Sequence, residues 1–225
     1  KALQLFCLFV VLFAKTNLAI ADGGSVNIDG ITYSSYDGQT AYVSGFVDST
    51  LTHAKILSSV TINGYPYPVT SIGSRAIAGN MYADSRPAKY LSSVEIPSSV
   101  THIESNAFYG CSSLESLVLP SSLTFIGEAA FQGTNITSIE LPASVTKIGY
   151  CAFSYNTTKL TCKSPTPPTL LSSTGTGQPS LQNISIVYVP DGCTKAYKSV
   201  NPWASAVVVD GNGVLETQAS EVFSN

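Results

Sequence analysis

Two histidines, five cysteines and 14 carboxylates are the side chains in this chain that could carry acid, base, thiol or metal chemistry, and their spacing decides what they can do. His53 and His102 fit neither a metal-ligand nor a triad spacing, and His102 reads as an exposed strand position. The cysteines form no Cys-x-x-Cys pair, whereas a structural zinc needs four converging ligands. Glu95 and Glu140 occupy the same position of a sequence repeat with one copy between them. At about 4.8 Å per stacked copy they would stand roughly 10 Å apart, inside the loose range of an inverting glycosidase. Nothing beside them reads as a sugar cleft, so they read as solvated surface carboxylates. The string Asp210-Gly-Asn-Gly213 matches part of a calcium loop without its closing Glu, and is better read as a turn. Asn135-Ile-Thr137, Asn156-Thr-Thr158 and Asn183-Ile-Ser185 fit the N-glycosylation sequon, but a Ser/Thr-rich chain produces such matches by chance. No catalytic, metal or cofactor-binding residue is assigned, and the expectation is a non-enzymatic protein without a cofactor.

The elements that must position any functional side chain are written three times over, at 91–108, 114–131 and 136–153. The first copy reads Leu91-Ser-Ser-Val-Glu-Ile-Pro-Ser-Ser-Val-Thr-His-Ile-Glu-Ser-Asn-Ala-Phe108, and the matching prolines Pro97, Pro120 and Pro142 lie 23 and 22 residues apart. That period, with L-x-x-L-x-L spacing, predicts a leucine-rich-repeat solenoid. Val94-Glu-Ile96, Leu117-Val-Leu119 and Ile139-Glu-Leu141 alternate and stop at proline, which predicts a strand in each coil. A second short strand is expected to end at Ile103, Ile126 and Ile148, and the pairs ending at Phe108, Phe131 and Phe153 are expected to plug the coil from a helical turn. One coil cannot bury enough apolar surface to offset the entropy of ordering it, so coils must stack and both ends need caps.

The fold class expected is mainly β with short helical turns, a solenoid of 22–23-residue coils with a β-hairpin N-terminal cap and an irregular C-terminal cap. Its divisions are a signal peptide (1–21), the N-terminal β cap (22–58), the repeats (59–163), a degenerate last coil with the C-terminal cap (164–210) and a flexible tail (211–225). Two cap strands are expected around Asp37-Gly38, and a degenerate first coil is expected from Val60 to Ile77. The signal peptide rests on Lys1, the apolar run 2–14 and the small-x-small end Ala19-Ile-Ala21, with a transmembrane helix as the alternative. The run is shorter than the roughly 20 residues a span needs. Export would permit disulfides among Cys111, Cys151, Cys162 and Cys193, yet the four fall at different phases of the repeat, which favours free thiols. With the leader removed, nine basic residues stand against 14 acidic ones, a net charge near −5. Only 11% of the chain is charged, so nucleic acid and anionic membranes are poor partners.

The strings Ile126-Gly-Glu-Ala-Ala-Phe131 and Ile148-Gly-Tyr-Cys-Ala-Phe153, with the Leu-Pro-x-Ser link before them, resemble the BspA-type, or Treponema-type, leucine-rich repeats. Gly30-Ile-Thr-Tyr33, Tyr67-Pro-Val-Thr-Ser-Ile-Gly73 and the ending through Val187-Tyr-Val-Pro190 to Trp203 are similar to secreted members of that family from Bacteroidetes. Departures are Ile77 for the usual Phe, Glu104 for Gly, and an insert at 79–90. The resemblance implies a secreted or cell-surface protein of adhesion and host or matrix binding, and supplies no catalytic residue.

A binding surface is the remaining candidate. The outward strand positions read Thr61, Glu95, Val118, Glu140, Thr161 and Tyr188, an extended face for an extracellular or host protein. A second candidate is the insert with Met81, Tyr82, Arg86 and Tyr90, because a long loop on a rigid array often carries function. The expected function is protein binding by a secreted or cell-surface monomer, with adhesion to host or matrix proteins; the alternative is a passive structural or surface-layer spacer domain without a specific ligand.

Overall fold

Alternation and proline placement build a stack of parallel strands on a short antiparallel cap. The computed structural model describes residues 24–48, 50–77, 87–172, 181 and 183–211. The expected signal peptide and nearly all of the expected tail lie outside those residues, as do Met81, Tyr82 and Arg86.

The cap is a meander of β1 (Ser25–Ile28), β2 (Ile31–Ser34) and β3 (Ala41–Phe46). It holds one strand more than the sequence suggests. Asp29 and Gly30 both adopt positive φ, 51° and 79°, the geometry of a tight hairpin turn, so the run 28–33 breaks into two strands. The turn at Asp37-Gly38 is tied by Asp37, whose carboxylate accepts the Gln39 and Thr40 N–H groups. After β4 (His53–Lys55), a second hairpin joins β5 (Ser59–Ile62) to β6 (Tyr65–Ile72) through Asn63 and Gly64, again both at positive φ. The expected degenerate first coil therefore begins as a hairpin, and only the end of β6 enters the stack.

The coils follow with β7 (Ser93–Glu95), β8 (His102–Ile103), β9 (Phe125–Ile126), β10 (Ser138–Leu141), β11 (Lys147–Ile148), β12 (Lys159–Cys162), β13 (Thr169–Leu170), β14 (Ile186–Val189), the helix α1 (Thr194–Lys198) and β15 (Val207–Asp210). One sheet runs β1-β2-β3-β6-β8-β9-β11-β13, with β5 paired on β6. On the other side of the coils a parallel sheet runs β10-β12-β14-β15, and β4 pairs with β7 alone. The molecule is a mainly β leucine-rich-repeat solenoid.

Register makes the interior. Ile72, Ile103, Ile126, Ile148 and Leu170 stand in one row across the first sheet, and Ile139, Leu160, Val187 and Val208 in another across the second. Phe108, Phe131 and Phe153 stack between them, with ring centroids 5.4 and 6.4 Å apart and nearly parallel planes. The plugs come from turns, not helices. Arg75, Asn106, Ala129 and Cys151, at one phase of successive coils, all take φ between 50° and 59°, a left-handed position that interrupts helical winding. Two phases earlier the coils approach so closely that a Cβ on Gly127 or Gly149 would lie 2.4 or 2.3 Å from a backbone nitrogen of the preceding coil. Glycine fits there for want of room.

At the far end, Trp203 and Tyr197 are fully buried and pack edge to face. The Trp203 indole N–H donates to the Pro168 carbonyl at 3.0 Å, and the Tyr197 hydroxyl to the Ser164 carbonyl at 2.9 Å. The four described cysteines are free thiols, three buried and Cys193 partly so.

Candidate binding surface

Strand alternation turns every second side chain of the β7 and β10-β12-β14-β15 ladders outward. Glu140, Thr161, Tyr188 and Val209 stand in register there. Glu140 is exposed, Thr161 and Tyr188 are half-buried, and Val209 is buried at the end of the row. On the other side of the gap Glu95 is exposed and stands opposite Lys55. Both carboxylates are paired: Lys55 Nζ lies 3.3 Å from Glu95 and Lys163 Nζ 3.0 Å from Glu140. These ion pairs are well exposed, so each contributes about 0–1 kcal/mol and serves to neutralise the face more than to hold it.

Thr61 does not belong to this row. It sits in β5 opposite Pro66 of the hairpin, because the Asn63-Gly64 turn folds its strand back on β6 instead of stacking it on β7. Its place is taken by Lys55, one strand earlier. The sequence signal was there, since Ala54 alternates between exposed His53 and Lys55, but a three-residue strand without proline is easily passed over. The strand β15 was missed likewise, though Val207-Val-Val209 is a β-branched run.

Val118 lies between the two parts of the row with its side chain 85% exposed. The strand expected at 117–119 is not formed. β7 turns its backbone bonds back to β4, β10 turns its own forward to β12, and the coil between them is held by packing of Leu114, Leu119 and Leu123 and by the continuous first sheet. A shallow cleft of about 380 Å³ opens there, lined by Val94, Glu95, Ile96, Leu117, Val118 and Pro120 among others. Of the four insert candidates, Tyr90 alone lies among the described residues; it is 57% exposed, with the Lys89 ammonium 5.8 Å from its ring centre.

His102 stands on the outer face of the first sheet in a row with Phe125 and Lys147. Its Nδ1 lies 2.8 Å from the Thr101 hydroxyl. Among the described residues no group of three or more His, Cys, Asp or Glu side chains is placed to hold a metal, and no helix is long and apolar enough to cross a membrane. Burial pushes the Cys111 thiol up to about 12. Cys162 is likewise pushed to about 12, burial outweighing the Tyr197 hydroxyl that favours its thiolate.

Parallel coils of 22–23 residues, an isoleucine row, a phenylalanine stack and an outward strand ladder define a leucine-rich-repeat protein. The chain belongs to the BspA type leucine rich repeat family, whose model matches six copies over residues 77–200. It is similar to a leucine-rich repeat protein from Bacteroides capillosus at 30% identity and a TM-score of 0.54, over 62% of this chain and 99% of that one. A leucine-rich repeat protein from Bacteroides ovatus matches at 26% identity and a TM-score of 0.45, over 75% of this chain and 50% of that one. The pneumococcal vaccine antigen PcpA matches at 22% identity and a TM-score of 0.51, over 75% of this chain and 42% of that one. The chain thus spans half or less of the last two. No curated protein matches it.

Proposed function

We propose that this chain is a secreted or cell-surface binding protein, without catalytic activity, that captures an extracellular host or matrix protein on the outward strand row. The observation that carries the reading is Val118, an aliphatic side chain left 85% exposed at the centre of a row whose flanking carboxylates Glu95 and Glu140 are each neutralised by a lysine. An apolar centre within a polar, charge-balanced rim is how protein interfaces are built. Lys55, Thr161 and Tyr188 extend the row to either side, and Tyr90 offers a further aromatic contact. Support for export is the leader-like segment 1–21 read in the sequence.

The test replaces Glu95, Val118, Glu140 and Tyr188 together and measures capture of immobilised host-surface and matrix proteins beside the unsubstituted chain. Loss of capture with an unchanged melting curve supports the placement. Capture that survives all four substitutions refutes it. A parent chain that captures nothing across a broad panel refutes the binding reading itself and leaves a passive spacer.

A further inference from the structure

The flank of the solenoid ahead of β10 and β12 carries a second, wider cleft of about 640 Å³, and its lining differs in kind from the outward row. Glu115, Asn135, Thr137, Tyr155, Asn156 and Thr158 line it. The residues come from turns of three successive coils, brought side by side because each coil repeats the last. The inventory is two amides, two hydroxyls, one carboxylate and one phenol ring. No lysine, arginine or histidine is among them, so nothing in the lining matches a phosphate or sulfate. One ring is too little apolar surface for the core of a protein interface.

The amides are already aimed. Asn156 Nδ2 donates to Asn135 Oδ1 at 2.9 Å and to the Thr134 carbonyl at 3.2 Å. That fixes both flips, leaving Asn156 Oδ1 as an acceptor and Asn135 Nδ2 as a donor. Behind them the buried Ser154 hydroxyl donates to the same Thr134 carbonyl at 2.7 Å, and Thr157 to the Ile136 carbonyl at 2.6 Å, so the floor is rigid. Asn183 reaches from the next coil to the Tyr155 carbonyl at 3.4 Å. Tyr155 itself is 61% exposed, a ring with an open side at the rim.

We infer that this cleft binds a neutral saccharide. A sugar offers adjacent hydroxyls that both donate and accept, which suits an amide donor, an amide acceptor, a carboxylate and two threonine hydroxyls set on one wall. It also offers an apolar C–H face, which suits the Tyr155 ring. Preorganisation lowers the ordering cost, but the site is open and shallow, so a single sugar unit should bind with a dissociation constant on the order of 1 mM. Asn135 and Asn156 head sequons, and the Asn156 amide nitrogen that a glycosyl transfer would need is spent on the ladder. Attachment at Asn135 is the competing outcome, which the intact mass reads directly. The inference is separate from the protein-capture reading, with which it shares no residue.

The purified full chain is applied to an array of neutral glucose, galactose, mannose and N-acetylglucosamine oligosaccharides beside sialylated and sulfated counterparts, and any neutral sugar retained is titrated by ligand-observed NMR. We expect retention of at least one neutral class, weakened tenfold or more by Tyr155→Ala and by Asn156→Ala and unchanged by Val118→Ser, with melting temperatures that stay together. Retention of sialylated or sulfated glycans alone overturns the inference, as does binding of no glycan at millimolar concentration. Binding that survives Tyr155→Ala and Asn156→Ala overturns the placement. An intact mass that shows hexose covalently held on Asn135 or Asn156 overturns it too.

Discussion

Gly149→Ala should be far more damaging than a single methyl suggests. The new Cβ would lie 2.3 Å from the Glu128 nitrogen and 2.5 Å from the Gly127 carbonyl carbon, and both are backbone atoms that no rotamer change can move. The coil must back away, and the bond from Gly149 N–H to the Ile126 carbonyl, now 2.7 Å, lengthens with it. Overpacking costs about 1–3 kcal/mol and a buried N–H left unpaired about 1–3 more, which puts the centre at about 4 kcal/mol. For a domain of this size that lowers the melting temperature by roughly 8–16 °C. The assay is urea and thermal unfolding followed by circular dichroism, with the single tryptophan, Trp203, as a second probe of the C-terminal end. Gly45→Ala is the control, because its Cβ meets nothing within 4 Å; it should stay within about 0.5 kcal/mol of the parent. If Gly149→Ala and Gly45→Ala are equally stable, the close-approach argument is wrong.

Phe131→Ala removes the middle ring of the Phe108–Phe131–Phe153 stack and should cost about 3–5 kcal/mol, with amide exchange accelerated in the coils on both sides. Among the described thiols, Cys111 and Cys162 should resist iodoacetamide at pH 8 in the folded chain while Cys193 reacts first; peptide mass mapping reads the order. Hydrogen bonds from Thr40 and Gln39 hold the Asp37 carboxyl below its ordinary value. Its contribution to stability is therefore complete above the unfolded value of about 4 and fades as the pH falls through the lower folded one. A carbon-detected NMR titration should find Asp37 below the ordinary carboxylate range, and Thr40→Val should raise it.

Legibility in the sequence followed the physics of each element. Isoleucines at 103, 126 and 148 repeat because each must meet its copy across a parallel ladder, so their rows could be read directly. Thr61 was misplaced because Val60 and Ile62 show the same alternation whether their strand stacks on a coil or folds back through Asn63-Gly64; the turn residues carried the difference. The unformed strand at 117–119 was invisible, since pairing depends on where neighbouring coils direct their bonds. The flank cleft was harder still. Asn135, Tyr155 and Asn156 sit in turns where the repeat imposes little; the two asparagines read as chance sequons, and Tyr155 carries no signal until register sets it beside Glu115.

The same division explains why such a frame can serve different ligands. Positions pinned by close approach, such as Gly127 and Gly149, or by stacking, such as Phe131, admit almost no substitution without loss of stability. Positions such as Val118, Tyr155 and Glu115 are exposed and carry little of the packing. A change at Val118 alters what the row can hold while leaving the Ile103–Ile126 register untouched, because the first sheet and the buried leucines of that coil keep it in line without Val118. Coupling between the outward row and the flank cleft should accordingly be small: substitution in one should shift affinity at the other by less than about 0.5 kcal/mol, the additivity expected of exposed residues without shared partners.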